Sequence, residues 1–464
     1  MQDLTKGSIP RHLATIASFI GVSMVVQTLF LLADLSFVGR LGKEAIAGVG
    51  LAGNLMMVSL AVTQMLAVGT TTLVAHAAGR RDRAGATHIF NQAFALSLLV
   101  ALLAGGAGFA LRGAYCRALA ADAATATLGA RYLDFYIPSL VLLFVVVAMG
   151  AGQRGSGVVR PAMVVQIVSV ALNIVLAPIL TLGWLTGRPF GVAGAGAATL
   201  IATACGVVFY GVWFAREERF LAFDLRDWRP EWATWRALLR IGLPAGGEFA
   251  LMSFYLALIY FITRPFGAAA QAGFGIGGRV MQSMFLPVMA VAFAAAPVAG
   301  QNFGARNAAR VRETFRVAAA ISCALMALLT VACHIAPGAL IRLFSQDPDV
   351  IAFGGEFLRM ISWNFFGSGL IFTSASLFQG MGNTLPPLAS SSLRLALFAL
   401  PAWIVSRQPG FDIDWIWSLS IASVAVQAVV NLLLLRREFA RRLRFAPAAP
   451  APAVTPAPAP LPAS

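Results

Sequence analysis

LATIASFIGVSMVVQTLFLLA, from Leu13 to Ala33, is an uncharged apolar run preceded by Lys6, Arg11 and His12. It is too long for the apolar core of a cleaved signal and long enough to cross a bilayer as one helix. The rest of the chain has the same character. Of its 464 residues 59% are hydrophobic and 11% charged, with a mean hydropathy of +0.80, whereas a soluble domain carries about 25% charge. Such a chain cannot hide its apolar surface in a water-facing fold, so most of it faces lipid. The formal charge of +15 therefore reads as Lys and Arg gathered in cytoplasmic loops, and no nucleic-acid partner is expected.

Apolar segments of spanning length fall near 12–38, 49–77, 87–111, 129–152, 160–183, 192–215, 237–263, 273–300, 313–336, 352–379, 386–407 and 414–436. These runs far exceed the roughly ten-residue alternating segments of a membrane barrel, so helices are predicted. The Lys and Arg bias of the loops places both termini in the cytoplasm. The connection from Arg216 to Arg240 holds six Arg and five acidic residues and divides the chain in the middle. Across it the sequence repeats: a constant shift of 225 sets LGKEAIAGVG (Leu41–Gly50) on FGAAAQAGFG (Phe266–Gly275) and pairs Gly79 with Gly304, Arg81 with Arg306, Asp122 with Asp347 and Gly157 with Gly382. Each half holds an even number of helices, so the copies share one orientation and a site is expected in the cavity between them. The predicted fold is an all-α integral membrane protein of twelve helices in two six-helix lobes related by a parallel repeat. Its parts are a first lobe at 1–215, a linker at 216–236, a second lobe at 237–440 and a disordered Pro/Ala-rich tail at 445–464.

Ionised groups inside a bilayer are costly and mark function by default. Asp34 and Glu248 are the acids placed well inside spans. Asp34 shares a helical face with Phe30, Gln27 and Ser23, a polar and aromatic stripe suited to a cavity wall. Glu248 follows Pro244 in IGLPAGGEFA, and two readings stand: a second proton carrier, or a group satisfying backbone freed by the proline. Arg394 lies deep in a span and Arg279 within one; a structural role is favoured for Arg394. Gln166, Asn173 and Ala177 fall on one face of the fifth helix, and Thr199 and Thr203 lie one turn apart on the sixth, offering neutral oxygens or interhelical hydrogen bonds. Met24, Met149 and Met163 would add a pliable wall. Cys116, Cys205, Cys323 and Cys333 lack metal or disulfide spacing, and no nucleophile motif or phosphate loop is present, so neither a cofactor, a metal nor an enzymatic activity is predicted.

LLADLSFVGRLGKEAIAGVGLAG, GTTTLVAHAAGRRDRAGA, VAGQNFGARNAARV and the pair GQRGSGVVRP and FQGMGNTLPP, in this order over roughly residues 10–440, resemble the multidrug and toxic compound extrusion (MATE) transporters. The resemblance implies a monomeric cation-coupled exporter in the bacterial inner membrane, alternating between inward-open and outward-open forms and acting on small organic substrates among membrane lipids. Asp34 matches the family's acidic residue on the first helix, where ion binding is coupled to drug release. Gln27 and Phe30 match cavity-facing positions, and Asn173 and Thr199 match polar groups near that carboxylate.

Two departures bear on this. The fifth helix carries Ala177 where relatives often have Asp after Asn173, and the bending proline of the first helix is Phe19, although Pro244 stands 225 residues later. A sodium site wants several hard oxygens with negative charge. A lone carboxyl in an apolar cavity instead has its neutral form favoured by desolvation. H+ is therefore the favoured coupling ion, with Na+ as the other candidate. A flippase for a lipid-linked saccharide or other amphiphile is the alternative, and it would need several cationic residues facing the cavity.

Overall fold

The computed structural model describes residues 1–445 except 186 and 219, and the side chains of these residues except 31–36, 268 and 269. The Pro/Ala-rich tail beyond 445, read above as disordered, lies outside the described residues. The chain runs through α1 (Ile9–Gly39), α2 (Lys43–Gly79), α3 (Arg83–Leu119), α4 (Ala123–Gly155), α5 (Arg160–Leu182) and α6 (Val192–Arg216). After a linker follow α7 (Trp232–Thr263), α8 (Gly267–Gly304), α9 (Ala308–Ile335), α10 (Pro337–Arg342), α11 (Pro348–Ile361), α12 (Asn364–Gly380), α13 (Leu385–Val405) and α14 (Ile413–Arg442). Among the described residues 11 helices are long and apolar enough to cross a membrane.

The remaining crossing differs from the sequence expectation. The predicted span 352–379 is divided into α11 and α12 at Ser362 and Trp363. The Ser362 hydroxyl turns back to the Arg359 carbonyl at 3.0 Å, and its own carbonyl accepts from the Thr330 hydroxyl at 3.0 Å and from the Phe365 amide three residues on. A side chain that competes for the helical ladder in this way bends or interrupts it. The pair nevertheless keeps the register of α4, because a shift of 225 carries Ala123 to Pro348 and Gly155 to Gly380.

The repeat extends to the backbone. Asp82 caps α3 and Asn307 caps α9 through the amide three residues on; Asp122 and Asp347 do the same for α4 and α11. Each such cap satisfies a helix-start amide left without an internal partner. Arg81 and Arg306 both adopt left-handed φ, 59° and 57°, a conformation uncommon outside glycine. Two turns that need it, at Gly157 and Gly382, have φ of 81° and 76°.

In the first half α4 packs between α2, α3 and α6, and α5 lies against α1 and α6. The second half repeats this, with α13 against α7 and α14 and α12 against α8, α9 and α14. Its core centres on Trp417, Phe274, Phe357 and Phe365, and that of the first half on Phe90, Phe214 and Tyr210. The halves meet through α1 against α8, its repeat mate α2 against α7, and α2 against α8.

That last crossing is the tightest. A Cβ at Gly79 would lie 2.0 Å from the Gln301 carbonyl, and one at Gly304 would lie 2.3 Å from the His76 carbonyl. Beside it sits the N-terminal segment. Leu4 is fully buried; its amide donates to Gln301 Oε1 at 3.0 Å and its carbonyl accepts from Asn302 Nδ2 at 3.1 Å. Arg310 holds the Gly7 carbonyl at 2.9 Å, and Asp3 pairs with Arg81 at 3.5 Å. Every hydrogen bond between the two lobes among the described residues lies at this end, which also carries the first and last described residues, Met1 and Phe445. Beyond this crossing Val25 and Leu29 near the middle of α1, Met57 and Val58 near the middle of α2 and Phe254 and Phe261 of α7 are exposed. Among the described residues the hydrogen bonds that tie the halves are thus confined to one end.

Candidate functional site

Each half gathers polar groups on its first, fifth and sixth helices. In the first half the Gln166 amide of α5 donates to Gln27 Oε1 of α1 at 2.5 Å. Asn173, two turns further along α5 and 2% exposed, donates to the Thr199 hydroxyl of α6 at 3.2 Å. Thr203 returns its own hydroxyl to the Thr199 carbonyl at 2.8 Å. These residues share a face because seven residues make almost two turns on α5 and four make about one on α6. A buried amide requires such partners, since leaving one unpaired costs about 1–3 kcal/mol.

The structure therefore brings together Gln27 with Gln166 and Asn173 with Thr199. Phe30 and Met163 are half-buried and Gln27 is exposed. Met149 is 3% exposed and packed with Phe90 and Tyr210, so it presents almost no surface to a cavity in this conformation. Asp34 is in α1, one turn beyond Phe30, and its side chain lies outside the described residues.

In the second half the Ser391 hydroxyl of α13 donates to Glu248 Oε1 of α7 at 3.2 Å and accepts from the Gln427 amide of α14 at 3.0 Å. Farther along the same helices, the Arg394 guanidinium stands over the Tyr255 ring, 4.6 Å from its centre. The Tyr255 hydroxyl lies 2.8 Å from Ser420 Oγ, which also accepts from the Asn364 amide at 3.0 Å. Glu248 thus bonds a neighbouring helix's side chain. In the turn before Pro244 it is the Thr384 hydroxyl that takes up a backbone carbonyl, that of Ile241. Arg279 is exposed.

The sequence reading missed Tyr255, Ser391, Ser420, Gln427 and Asn364. A signal for some of them was present: the shift of 225 carries Ser23 to Glu248, Phe30 to Tyr255 and Gln166 to Ser391. Ser420, Gln427 and Asn364 stand opposite Ala195, Ala202 and Ser139, and a reading of the first half does not point to the first two.

A family model described as MatE matches residues 20–179 and again residues 244–404, two copies set apart as the internal repeat is. The chain belongs to the MatE family. It is a multi-pass MATE membrane transporter and not an enzyme. It is 26% identical to the probable multidrug resistance protein YpnP of Bacillus subtilis over 89% of this chain and 93% of that one. It is 28% identical to the probable multidrug resistance protein NorM of Bradyrhizobium diazoefficiens over 90% and 91% of the two chains. Among solved structures, a multidrug resistance MATE family transporter in an outward-facing conformation superposes with a TM-score of 0.88 over 96% of this chain and 98% of that one, at 23% identity, and so shares the fold.

Proposed function

We infer that this MATE transporter exports lipophilic, often cationic, organic compounds by alternating access, in exchange for an inward-moving cation, with H+ favoured over Na+. The observation that carries the reading is the polar face built by α1, α5 and α6 in an otherwise apolar half, with Asn173 and Thr199 hydrogen-bonded and the acidic residue Asp34 on the same helix as Gln27. Asn173 and Thr199 supply neutral oxygens, and α5 has Ala177 where a second carboxylate would strengthen a sodium site.

The mechanism is one of linkage. A cationic substrate and a proton compete for one negative group, so protonating Asp34 removes the attraction that holds the substrate, and substrate binding expels the proton to the same degree. With both termini in the cytoplasm the hydrogen-bonded end faces inward, which supports an outward-facing form. Glu248 and its partners Ser391 and Gln427 supply a second group that can take up the coupling ion. The chain works as a monomer in the bacterial inner membrane. The flippase reading has less support, because Arg279 is exposed and Arg394 alone of the two turns into the second half's interior.

Export into inverted vesicles under separate pH and sodium gradients tests this. Ethidium uptake driven by the pH gradient and lost in Asp34→Asn is the expected result. Uptake driven by sodium alone would reverse the ion assignment, and wild-type uptake by Asp34→Asn would remove the proposed role of Asp34.

A further inference from the structure

We propose that Arg394 and Tyr255 form a subsite in the second half for an anionic group, carboxylate or phosphate, borne by a planar substrate. The proposal rests on the export reading and extends it to substrate class. Arg394 stands one residue short of the midpoint of α13, a helix of 21 residues, where a charge is costly unless it is matched. Its ring partner Tyr255 and the hydroxyls and amides of Ser420, Asn364 and Gln427 give the neighbourhood polarity but no negative charge. Glu248, the carboxylate on the adjoining helix, is engaged with Ser391 and forms no ion pair with Arg394.

The guanidinium has five donors, and among the described residues none of them is hydrogen-bonded or ion-paired. Nε is buried without a partner, whereas the two terminal nitrogens keep open surface. That is an unusual state for arginine in an apolar bundle. Its planar fork matches a carboxylate or phosphate in two parallel hydrogen bonds, and such charge-assisted pairs are about twice as strong as neutral ones. The Tyr255 ring fixes the guanidinium plane from one side, so the fork is held in place before a ligand arrives. The first half offers no counterpart: the residue 225 positions before Arg394 is Ser169. The two halves therefore differ in the sign of charge that they present, with an acid on α1 and a base on α13.

The test uses the full chain in nanodiscs at neutral pH, with 2-naphthoate, 2-naphthyl phosphate and the uncharged 2-naphthalenemethanol as probes. At least one of the anions should bind the wild type more tightly than the alcohol, and Arg394→Gln should weaken that binding by about tenfold or more, as loss of a bidentate charged contact requires. The preferred anion tells carboxylate from phosphate. Arg394→Lys keeps the charge without the fork and should recover part of the affinity, which separates ligand contact from misfolding. Equal affinity of the three probes for the wild type, or unchanged anion binding in Arg394→Gln, would overturn the subsite. Ethidium export by the wild type, measured alongside, reports on the export reading alone.

Discussion

His76 and Gln301, 225 residues apart, make the same contact in opposite directions. His76 Nε2 on α2 lies 2.7 Å from the Gly380 carbonyl of α12, and Gln301 Nε2 on α8 donates to the Gly155 carbonyl of α4 at 3.1 Å. Gly155 and Gly380 are themselves repeat mates, as are Gly79 and Gly304, whose missing side chains let α2 and α8 cross with backbone against backbone. The pseudo-twofold axis of the molecule therefore passes through this crossing. A contact of that kind is close to self-complementary, although not every pair recurs: Thr72, which donates to the Gln379 carbonyl at 2.9 Å, stands opposite Pro297.

Replacing Gly79 by Leu places a Cβ against the Gln301 carbonyl, where only backbone movement relieves it. Overpacking of this sort costs about 1–3 kcal/mol, and the cost falls on the tied conformation alone. The expected result is a shift of the population toward a form untied at this end, seen as increased labelling of a cysteine placed at Leu4. Unchanged labelling would mean that the crossing is not what holds this end shut.

Leu4 itself is the buried centre of the N-terminal segment, packed among Val159, Val298 and Phe378. Truncation to Ala should destabilise the tied state by about 2–5 kcal/mol, the usual range for a buried leucine. Accelerated hydrogen exchange at residues 2–7 and at the ends of α2 and α8 would register this, with no change in the core around Trp417.

How much of this was legible in the sequence follows from what a repeat can and cannot encode. Apolar runs pointed to the helices because lipid demands internally satisfied backbone, and the shift of 225 paired Asp122 with Asp347 and Gly157 with Gly382, positions that the structure uses for matching caps and turns. The division at Ser362 was not legible, since it depends on a hydroxyl from α9, Thr330, which is distant in sequence. The polar faces were half legible. Gln27, Gln166, Asn173 and Thr199 stood out as polar residues in apolar helices. Met149, expected on a cavity wall, is covered in this conformation, since helical spacing gives a face but not which neighbour covers it. Arg394 was visible as a residue, but its lack of an acceptor is a property of three packed helices.

The linker is strapped to the first half through α3. The Asn91 amide donates to the Ala222 carbonyl at 2.8 Å, the Gln92 amide donates to the Asp227 and Arg229 carbonyls, and His88 lies between Asp227 at 3.2 Å and Glu231 at 2.5 Å. Glu231 precedes α7, and its hydrogen bonds from Thr234 and then His88 hold its carboxyl below the ordinary value of 4.5. A depressed carboxyl stabilises fully above that ordinary value and loses its contribution as pH falls through the lowered one. His88, which burial would lower but Glu231 and Asp227 hold above its ordinary value, adds its charge as pH falls through the neutral range, so protease nicking of the linker should be lowest between the histidine and carboxylate ranges and rise below the latter. Glu231→Gln should nick more readily at neutral pH and show a smaller rise.

Glu248 offers the sharpest separation of a transport role from a structural one. Ser391 donates to its carboxyl oxygen, and a glutamine in its place still presents an oxygen to accept that bond, so Glu248→Gln should leave thermal stability within about 1 kcal/mol of wild type. Glu248→Ala leaves the Ser391 hydroxyl without its acceptor and should cost about 1–3 kcal/mol. If the carboxyl carries a coupling ion, both variants lose pH-driven dye export by about tenfold or more, although only the second loses stability. Should export instead follow stability, with Glu248→Gln transporting like the wild type, the α7 carboxyl serves to join α7, α13 and α14, and ion coupling rests with α1 alone. Thermal unfolding and vesicle transport measured on the same two preparations decide between these outcomes, because the glutamine variant removes the titratable group while keeping the hydrogen bond that packing needs.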